Sequence, residues 1–572
     1  MTVRQQYQEL LLRLREEGKV FSRQHPKLAP FLSDRSRDPD IERLLEGFAY
    51  LTAQLHQKID DELPEITQEF FKTLAPGYLK PLPACTIVQF QPQAQFSDVH
   101  RLIARGSEFD IKHQGHNYIF STSQALNVLP LAIEAIQSKR RDDLLTVSFK
   151  VKALGKLSLD QLASPKLQFY LAGDLSKAYA RYWLLTKHCR SVQVEVAGRQ
   201  FDCPQARFVP EGFDNQQTLL PGSHGSYIGF EWLREFYRFP EKFLFVSLDD
   251  LGSWQRFGIH DEMIITVNLH VPVEEVIGFD HKSLVLNAVP MVNLFSSSAV
   301  PIQRQVGMLR YRVLPNDHRA SGNCAVFGID SVRGWAPVKK ARFYYEPWWR
   351  FSQLEKLDTP IYNEHIEASS VHAYHNLSLE LAPNQNNDSI DETLSIDVKL
   401  FQPEAHEHLG LGDVQATETD GLSSLHFENI SHVSQPAYPV LYHEINWQLI
   451  ANLSTAFRKI NSIEHLKQCC QAIEGAFSQQ HIAQEGTRKL LKSLLRFDTS
   501  PSDQFVSGQL IRGYHSVLSV KDAQFLQVGE LLLFGNMISR ILQHQSPVNS
   551  FHTLTIKGLD QGVVLEWPLQ QR

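Results

Sequence analysis

Four carboxylates, Asp60, Asp61, Glu62 and Glu65, flank Pro64 in the run KIDDELPEI. Paired carboxylates serve general acid and base catalysis when their surroundings split their pKa values. Placed around a bend between two helices, they instead solvate one helix end and favour the amino terminus of the next. His406, Glu407 and His408 offer two imidazoles and a carboxylate. A zinc site needs a further ligand at a defensible spacing, and the sequence supplies none. Gly222, Ser223, His224 and Gly225 share the composition of a nucleophile turn, but the G-x-S-x-G order and the strand-then-helix flanks are missing. Cys469 and Cys470, neighbours in a helical run, would point in different directions, which suits packing. No Walker-type or G-x-G-x-x-G loop follows a strand. The aromatic group Phe230, Trp232, Phe236, Tyr237, Phe239, Phe243 and Phe245 could line a pocket, but at helical and strand spacing it reads as core. The sequence therefore assigns no catalytic residue, no cofactor and no metal ligand, and the lack of such apparatus in so long a chain points to a structural role.

Composition narrows the classes further. A net charge of -7 and 21% charged residues lack the concentration of Lys and Arg that phosphate contacts demand, so nucleic acid is not an expected partner. The six cysteines, at 85, 189, 203, 324, 469 and 470, form no CxxC pair and read as reduced thiols of a cytosolic protein. The amino terminus MTVRQQYQELLLRLREEG carries charge throughout, unlike a signal peptide, and no run approaches the roughly 18 apolar residues of a membrane helix. A cytoplasmic protein without membrane insertion is expected.

The elements that would position these residues are legible from periodicity. Ile41, Leu44, Leu45, Phe48, Leu51, Leu55 and Ile59 recur at spacings of three and four, on one stripe of a helix that Asp38 can cap and Pro39 can open. From Ile41 to Leu63 this helix would run roughly 34 Å at 1.5 Å per residue, longer than a small domain needs for its own core. After Pro64, Ile66, Phe70 and Leu74 renew the stripe up to Pro76-Gly77. The stripe either meets a partner chain or closes the chain's own amino-terminal domain. Residues 1–80 thus read as a helical region.

From Thr86 onward, short runs such as TIVQF, NYIF, LLTVSFKV and KLQFYLAG read as strands, interrupted by a helix at Leu175 to His188. These define a β-rich domain with a helix over 81–229. A second β-rich domain spans 230–430, beginning with the aromatic helix FEWLREFYRF and containing MIITVNLHV, KSLVLNAV and RYRVL. Within it, 384–425 is polar, acidic and Gly-containing, with some strand-like content at SIDVKLF, and reads as a long loop or hairpin excursion. Residues 431–572 read as a closing α+β domain: helical from Ile445, then strand (QLIRGYHSVLSV), helix (GELLLFGNMISRILQHQ) and strand (SFHTLTIKG). The expected fold class is α+β multidomain.

Several segments resemble one family in co-linear order. Leu45 to Phe90 closely echoes the pattern LEGFAFLTA-R-QKLDDE-PE followed by Y-L-RP-PS-IVQF. LQFYLAGDLSKAYARYWLL (Leu167 to Leu185), PEGFDNQQTLLP (Pro210 to Pro221), the helix and strand at Phe230 to Phe245, VPMVNLF (Val289 to Phe295) and RYRVLP (Arg310 to Pro315) continue the likeness. Arg512-Gly513, Phe534-Gly535 and Asn549 to Phe551 extend it to the carboxyl end. On these residues the chain resembles the TssF family (also called VasA or ImpG), baseplate subunits of the bacterial type VI secretion system. It departs from the family pattern at FST (Phe120 to Thr122) in place of FRT, at GSHGS in place of YPRRS, and in the tail WPLQQR, which lacks a basic ending.

The resemblance implies a phage baseplate wedge-like scaffold. Two TssF copies would join one TssG, the wedges would bind TssK and TssE, and they would assemble around the VgrG spike. Docked in the cytoplasm at the inner-membrane complex, such a baseplate starts polymerisation of the inner tube and the contractile sheath. The expected interface on this reading is Leu44, Leu45, Phe48, Leu51, Leu55 and Ile59, with Phe70 on the renewed stripe, packed against TssG and a second TssF copy. Rival readings are the equivalent wedge of a phage-tail-like contractile particle, and a baseplate-associated cell-wall hydrolase using Asp61 or Glu65.

Overall fold

A computed structural model describes residues 11, 43, 46–52, 68–72, 76–222, 228–271, 278–353, 359–382, 392–415, 424–439, 460–476 and 489–568, apart from positions 94, 97, 156, 163–165, 306, 338–339, 368, 370–371, 507 and 548. The chain divides into two units, Met1–Lys72 and Thr73–Arg572. In the first, residues 46–52 and 68–72 are helical. The second is β-rich and is built from several sheets.

Sequence alternation explains most of these strands. In Leu144–Ala153, the residues Leu145, Val147, Phe149 and Val151 all turn inward, as a half-buried strand requires. This strand pairs with Glu262–His270 over nine residue pairs, inside a five-stranded sheet that also holds Leu131–Arg141, Cys189–Val196 and Arg199–Asp202. A second five-stranded sheet orders its strands Leu425–Asn429, Cys85–Pro92, Ala288–Val292, His116–Thr122 and Glu108–His113. Its core includes the rings of Phe90, Phe109 and Phe427, with centroids 5.1–5.6 Å apart. Strands from before and after residue 230 therefore share a sheet. Near-continuous burial marks Phe245–Asp249 and Leu167–Leu171, the central strands of a four-stranded antiparallel sheet.

Within the polar stretch 384–425, the strand-like content noted at SIDVKLF is a full strand, more than a loop or hairpin excursion needs. Thr393–Phe401 is an inner strand of the nine-stranded sheet, hydrogen-bonded to Ala325–Ala336 on one side and to Phe295–Ala299 on the other. Leu394, Ile396, Val398 and Leu400 are fully buried, so the alternation within TLSIDVKLF outweighs the acidic flanks that suggested an excursion.

The carboxyl-terminal stretch carries a second difference. Leu494–Val506, which falls where helix was expected to run on, is a strand paired with Gln509–Val520 in a long hairpin. Its Pro501 is compatible with this position because the strand lies at the edge of its sheet, where one row of N–H groups needs no partner. Gln509–Val520 and His552–Gly558 run parallel, and the helix Val528–His544 makes the crossover between them.

That helix packs against the earlier helix Leu175–Lys187 and the strand Val564–Trp567. Asn536 donates to the Tyr182 hydroxyl (2.8 Å) and accepts from the Trp567 indole N–H (2.6 Å). Close approach depends on Gly529, where a Cβ would lie 1.8 Å from the carbonyl oxygen of Tyr179 in the helix Leu175–Lys187. Gly529→Ala gains up to about 1 kcal/mol of helix propensity. The clash is with backbone and cannot be relieved by a rotamer change, so a net loss of about 1–3 kcal/mol is expected from overpacking, read as a lower urea midpoint of the protein.

Candidate assembly interface

Of the helical residues 46–52 most are exposed, Tyr50 among them at 50%. Ala49 is buried, whereas Phe48 and Leu51, three residues apart and therefore on one face, are 59% and 61% exposed. In 68–72, Gln68 and Phe71 are buried and Phe70 is 47% exposed. Three of the seven interface residues expected from sequence thus lie exposed on helical backbone. Leu44, Leu45, Leu55 and Ile59 lie outside the described residues, as do Asp60, Asp61, Glu62 and Glu65.

The other sequence candidates fall into structural roles. His406 Nδ1 donates to the Pro403 carbonyl (3.1 Å), while the His408 ring stacks on His116 with centroids 6.4 Å apart, so the two imidazoles have separate partners. Among the described residues no group of three or more His, Cys, Asp or Glu is placed to hold a metal ion. Gly222 is described, but Ser223, His224 and Gly225 are not. All six cysteines are free, and burial pushes the Cys469 thiol up to about 12, far from a reactive thiolate. Phe230, Trp232, Phe236, Phe239, Phe243 and Phe245 are buried core residues. No helix among the described residues is long and apolar enough to cross a membrane.

Charge is used here to position backbone. The loop Glu211 to Pro221 is held from three sides. Arg105 Nη2 donates to the Thr218 and Leu220 carbonyls (2.9 and 2.8 Å), Lys166 pairs with Glu211 (2.6 Å), and Glu235 accepts from the Leu219 N–H (2.7 Å). Glu235, on the helix Ile228–Arg238, also pairs with Lys242, and both side chains are buried. Burial pushes the Glu235 carboxyl up and the Lys242 ammonium down, each opposed by the charge of the other. A second buried arrangement sets Glu392 against Arg304 (3.3 Å) and the Tyr345 hydroxyl (2.8 Å).

One surface feature was not singled out from sequence. Trp335 and Tyr344, on the hairpin of Ala325–Ala336 and Ala341–Pro347, are 43% and 63% exposed. The signal was present as the alternations RGW and ARFYY, which place Arg333 with Trp335, and Arg342 with Tyr344, on one face of a strand pair.

Comparison with known proteins places this architecture. A curated relative, the type VI secretion system component TssF1 of Pseudomonas aeruginosa, is 27% identical over 317 residues, and the match spans about half of each chain, 50% of this one and 51% of the relative. A chain of the type VI secretion TssK-TssF-TssG baseplate subcomplex, solved by cryo-electron microscopy, shares the fold with a TM-score of 0.78 at 22% identity, over 93% of this chain and 99% of that one. A chain of the baseplate complex from the type VI secretion system aligns over 100% of this chain and 99% of its own length, with a TM-score of 0.65 at 22% identity. The family model described as Type VI secretion system, TssF, matches residues 2–572, and the chain belongs to that family.

Proposed function

We propose that the chain is a structural wedge subunit of the type VI secretion baseplate, assembling with TssG, a second copy of itself and TssK. The observation that carries this reading is the shared fold over 93% of the chain with a chain of the TssK-TssF-TssG subcomplex, joined to a family match along nearly its whole length. TssE and the VgrG spike are further contacts of the assembled wedge, and the sheath and inner-membrane complex are reached indirectly. The protein acts in the cytoplasm, docked at the inner-membrane complex once assembled. Its role is mechanical, not enzymatic.

The amino-terminal stripe is the proposed contact with TssG and the second copy, supported by the exposure of Phe48, Leu51 and Phe70 on helical backbone. Each such side chain contributes about 1.5–3 kcal/mol when fully buried, before ordering costs. Co-expression with TssG and TssK from the same genome tests the assembly. One complex containing all three chains on size-exclusion chromatography is expected, and separate elution of this chain would refute the reading.

A further inference from the structure

We propose that the outer face of the hairpin Ala325–Ala336 and Ala341–Pro347 docks an acidic protein surface of another baseplate subunit, an inference that rests on the baseplate reading above. The face is a two-by-two array: Trp335 stands opposite Arg342, and Arg333 opposite Tyr344. Directly opposed and diagonal residues of an antiparallel pair lie within side-chain reach, so these four form one continuous patch. Val332, Ala336 and Tyr345 point the other way and are buried.

The charges on this face are unequal. Arg333 Nη2 donates to both carboxylate oxygens of Asp397 (2.8 and 2.7 Å), which neutralises it. Arg342 has the Trp335 ring at 5.9 Å and no carboxylate partner among the described residues. Lys340, exposed at the turn of the hairpin, likewise has no ion-pair partner among them. Two unpaired cations therefore flank exposed Trp and Tyr on a chain whose net charge is -7.

Complementarity selects the partner. Trp, Tyr and Arg are the residue types that dominate binding energy at protein interfaces. A surface bearing carboxylates beside apolar side chains would pair with Arg342 and Lys340 and cover the two rings. A polyphosphate backbone fits less well, because the chain carries a net charge of -7 and this face offers only two cations for the many phosphate contacts such a backbone requires.

Oxidative footprinting compares Trp335 and Tyr344 in the isolated full chain with the same residues in baseplates purified through a tagged copy of the chain, with and without nuclease. Both residues are expected to lose most of their labelling in the baseplate, with no change on nuclease treatment. Arg342→Glu is expected to weaken docking of this face on the order of 30-fold, the equivalent of one hot-spot residue, and to restore labelling of Trp335. Equal labelling in chain and baseplate, protection that nuclease removes, or protection unaffected by Arg342→Glu would each overturn the proposal. Failure of the tagged chain to enter any baseplate would refute the assembly reading, and this inference with it.

Discussion

Lys242→Met is expected to destabilise the protein by about 3–5 kcal/mol, because it leaves the Glu235 carboxylate buried without its counter-charge. Both side chains are almost completely removed from solvent, and Glu235 cannot swing out to water while it accepts from the Leu219 N–H. The loss should depend on pH. With Lys242 gone, burial raises the folded-state pKa of Glu235 further above its unfolded value. Below the unfolded value of about 4.3 the group is protonated in both states and imposes no charge penalty. As pH rises through the window between the unfolded and folded values, the unfolded state releases its proton first and stability falls. Chemical unfolding of wild type and variant at pH 4 and pH 8 should therefore show the larger difference at pH 8. The double variant Glu235→Gln with Lys242→Met keeps an acceptor for Leu219 and removes the charge, so it should recover much of the loss.

Gln402→Met should cost a comparable amount, about 3 kcal/mol or more, through orphaned backbone groups. Asn293 and Gln402 lie where the chain passes between two sheets. Asn293 follows Ala288–Val292 of the five-stranded sheet and precedes Phe295–Ala299 of the nine-stranded one, and Gln402 directly follows Thr393–Phe401. The Gln402 side chain accepts from the Ile119 N–H (3.0 Å) and from Asn293 Nδ2 (3.1 Å), and its Nε2 donates to the carbonyls of Asn117 (2.9 Å) and Ser321 (2.8 Å). Its own N–H donates to Asn293 Oδ1 (2.6 Å). Met fills the space but can make none of the four side-chain bonds. The Asn117 carbonyl keeps the Ser321 N–H (2.9 Å), but the Ile119 N–H and the Ser321 carbonyl lose their partner, each worth about 1–3 kcal/mol, and the sum is not additive. Hydrogen exchange at Ile119 N–H should accelerate by several orders of magnitude if the seam opens locally. Unchanged exchange would show that the network is dispensable.

Much of the fold was legible because individual strands carry their own pattern. TIVQF, LLTVSFKV and MIITVNLHV became Cys85–Pro92, Leu144–Ala153 and Glu262–His270, and GELLLFGNMISRILQHQ became the helix Val528–His544. Where flanking residues are polar or charged, the reading was incomplete: strand-like content was noted at SIDVKLF but not its inner place in a sheet, and Leu494–Val506 was missed. Thr393–Phe401 lies among acidic and polar residues, yet its four inward side chains decided its place in the sheet. Pro501 and three charges, Arg496, Asp498 and Asp503, disguised Leu494–Val506, whose edge position tolerates them.

Pairings made by tertiary structure had no sequence signal at all. Glu235 and Lys242 are seven residues apart across Pro240, and they meet because the chain turns back through Pro240–Phe243 after the helix ends. The exposed Trp335 and Tyr344 were hidden for a different reason. An aromatic in an alternating run reads as core until the strand partner shows which face is covered. The amino-terminal stripe rests on spacing alone; of its residues Phe48 and Leu51 lie on described helical backbone, while Leu44, Leu45, Leu55 and Ile59 lie outside the described residues.

Substituting Phe48 and Leu51 together by Asp tests the assembly role most directly. In co-expression with TssG and TssK, the variant chain is expected to fold, with a circular dichroism spectrum and unfolding midpoint like wild type, because both side chains already face solvent. It is also expected to lose TssG from its purified complex. A folded variant that still co-purifies with TssG at the wild-type ratio would contradict the stripe as an assembly contact, and global unfolding of the variant would assign the stripe to the chain's own core.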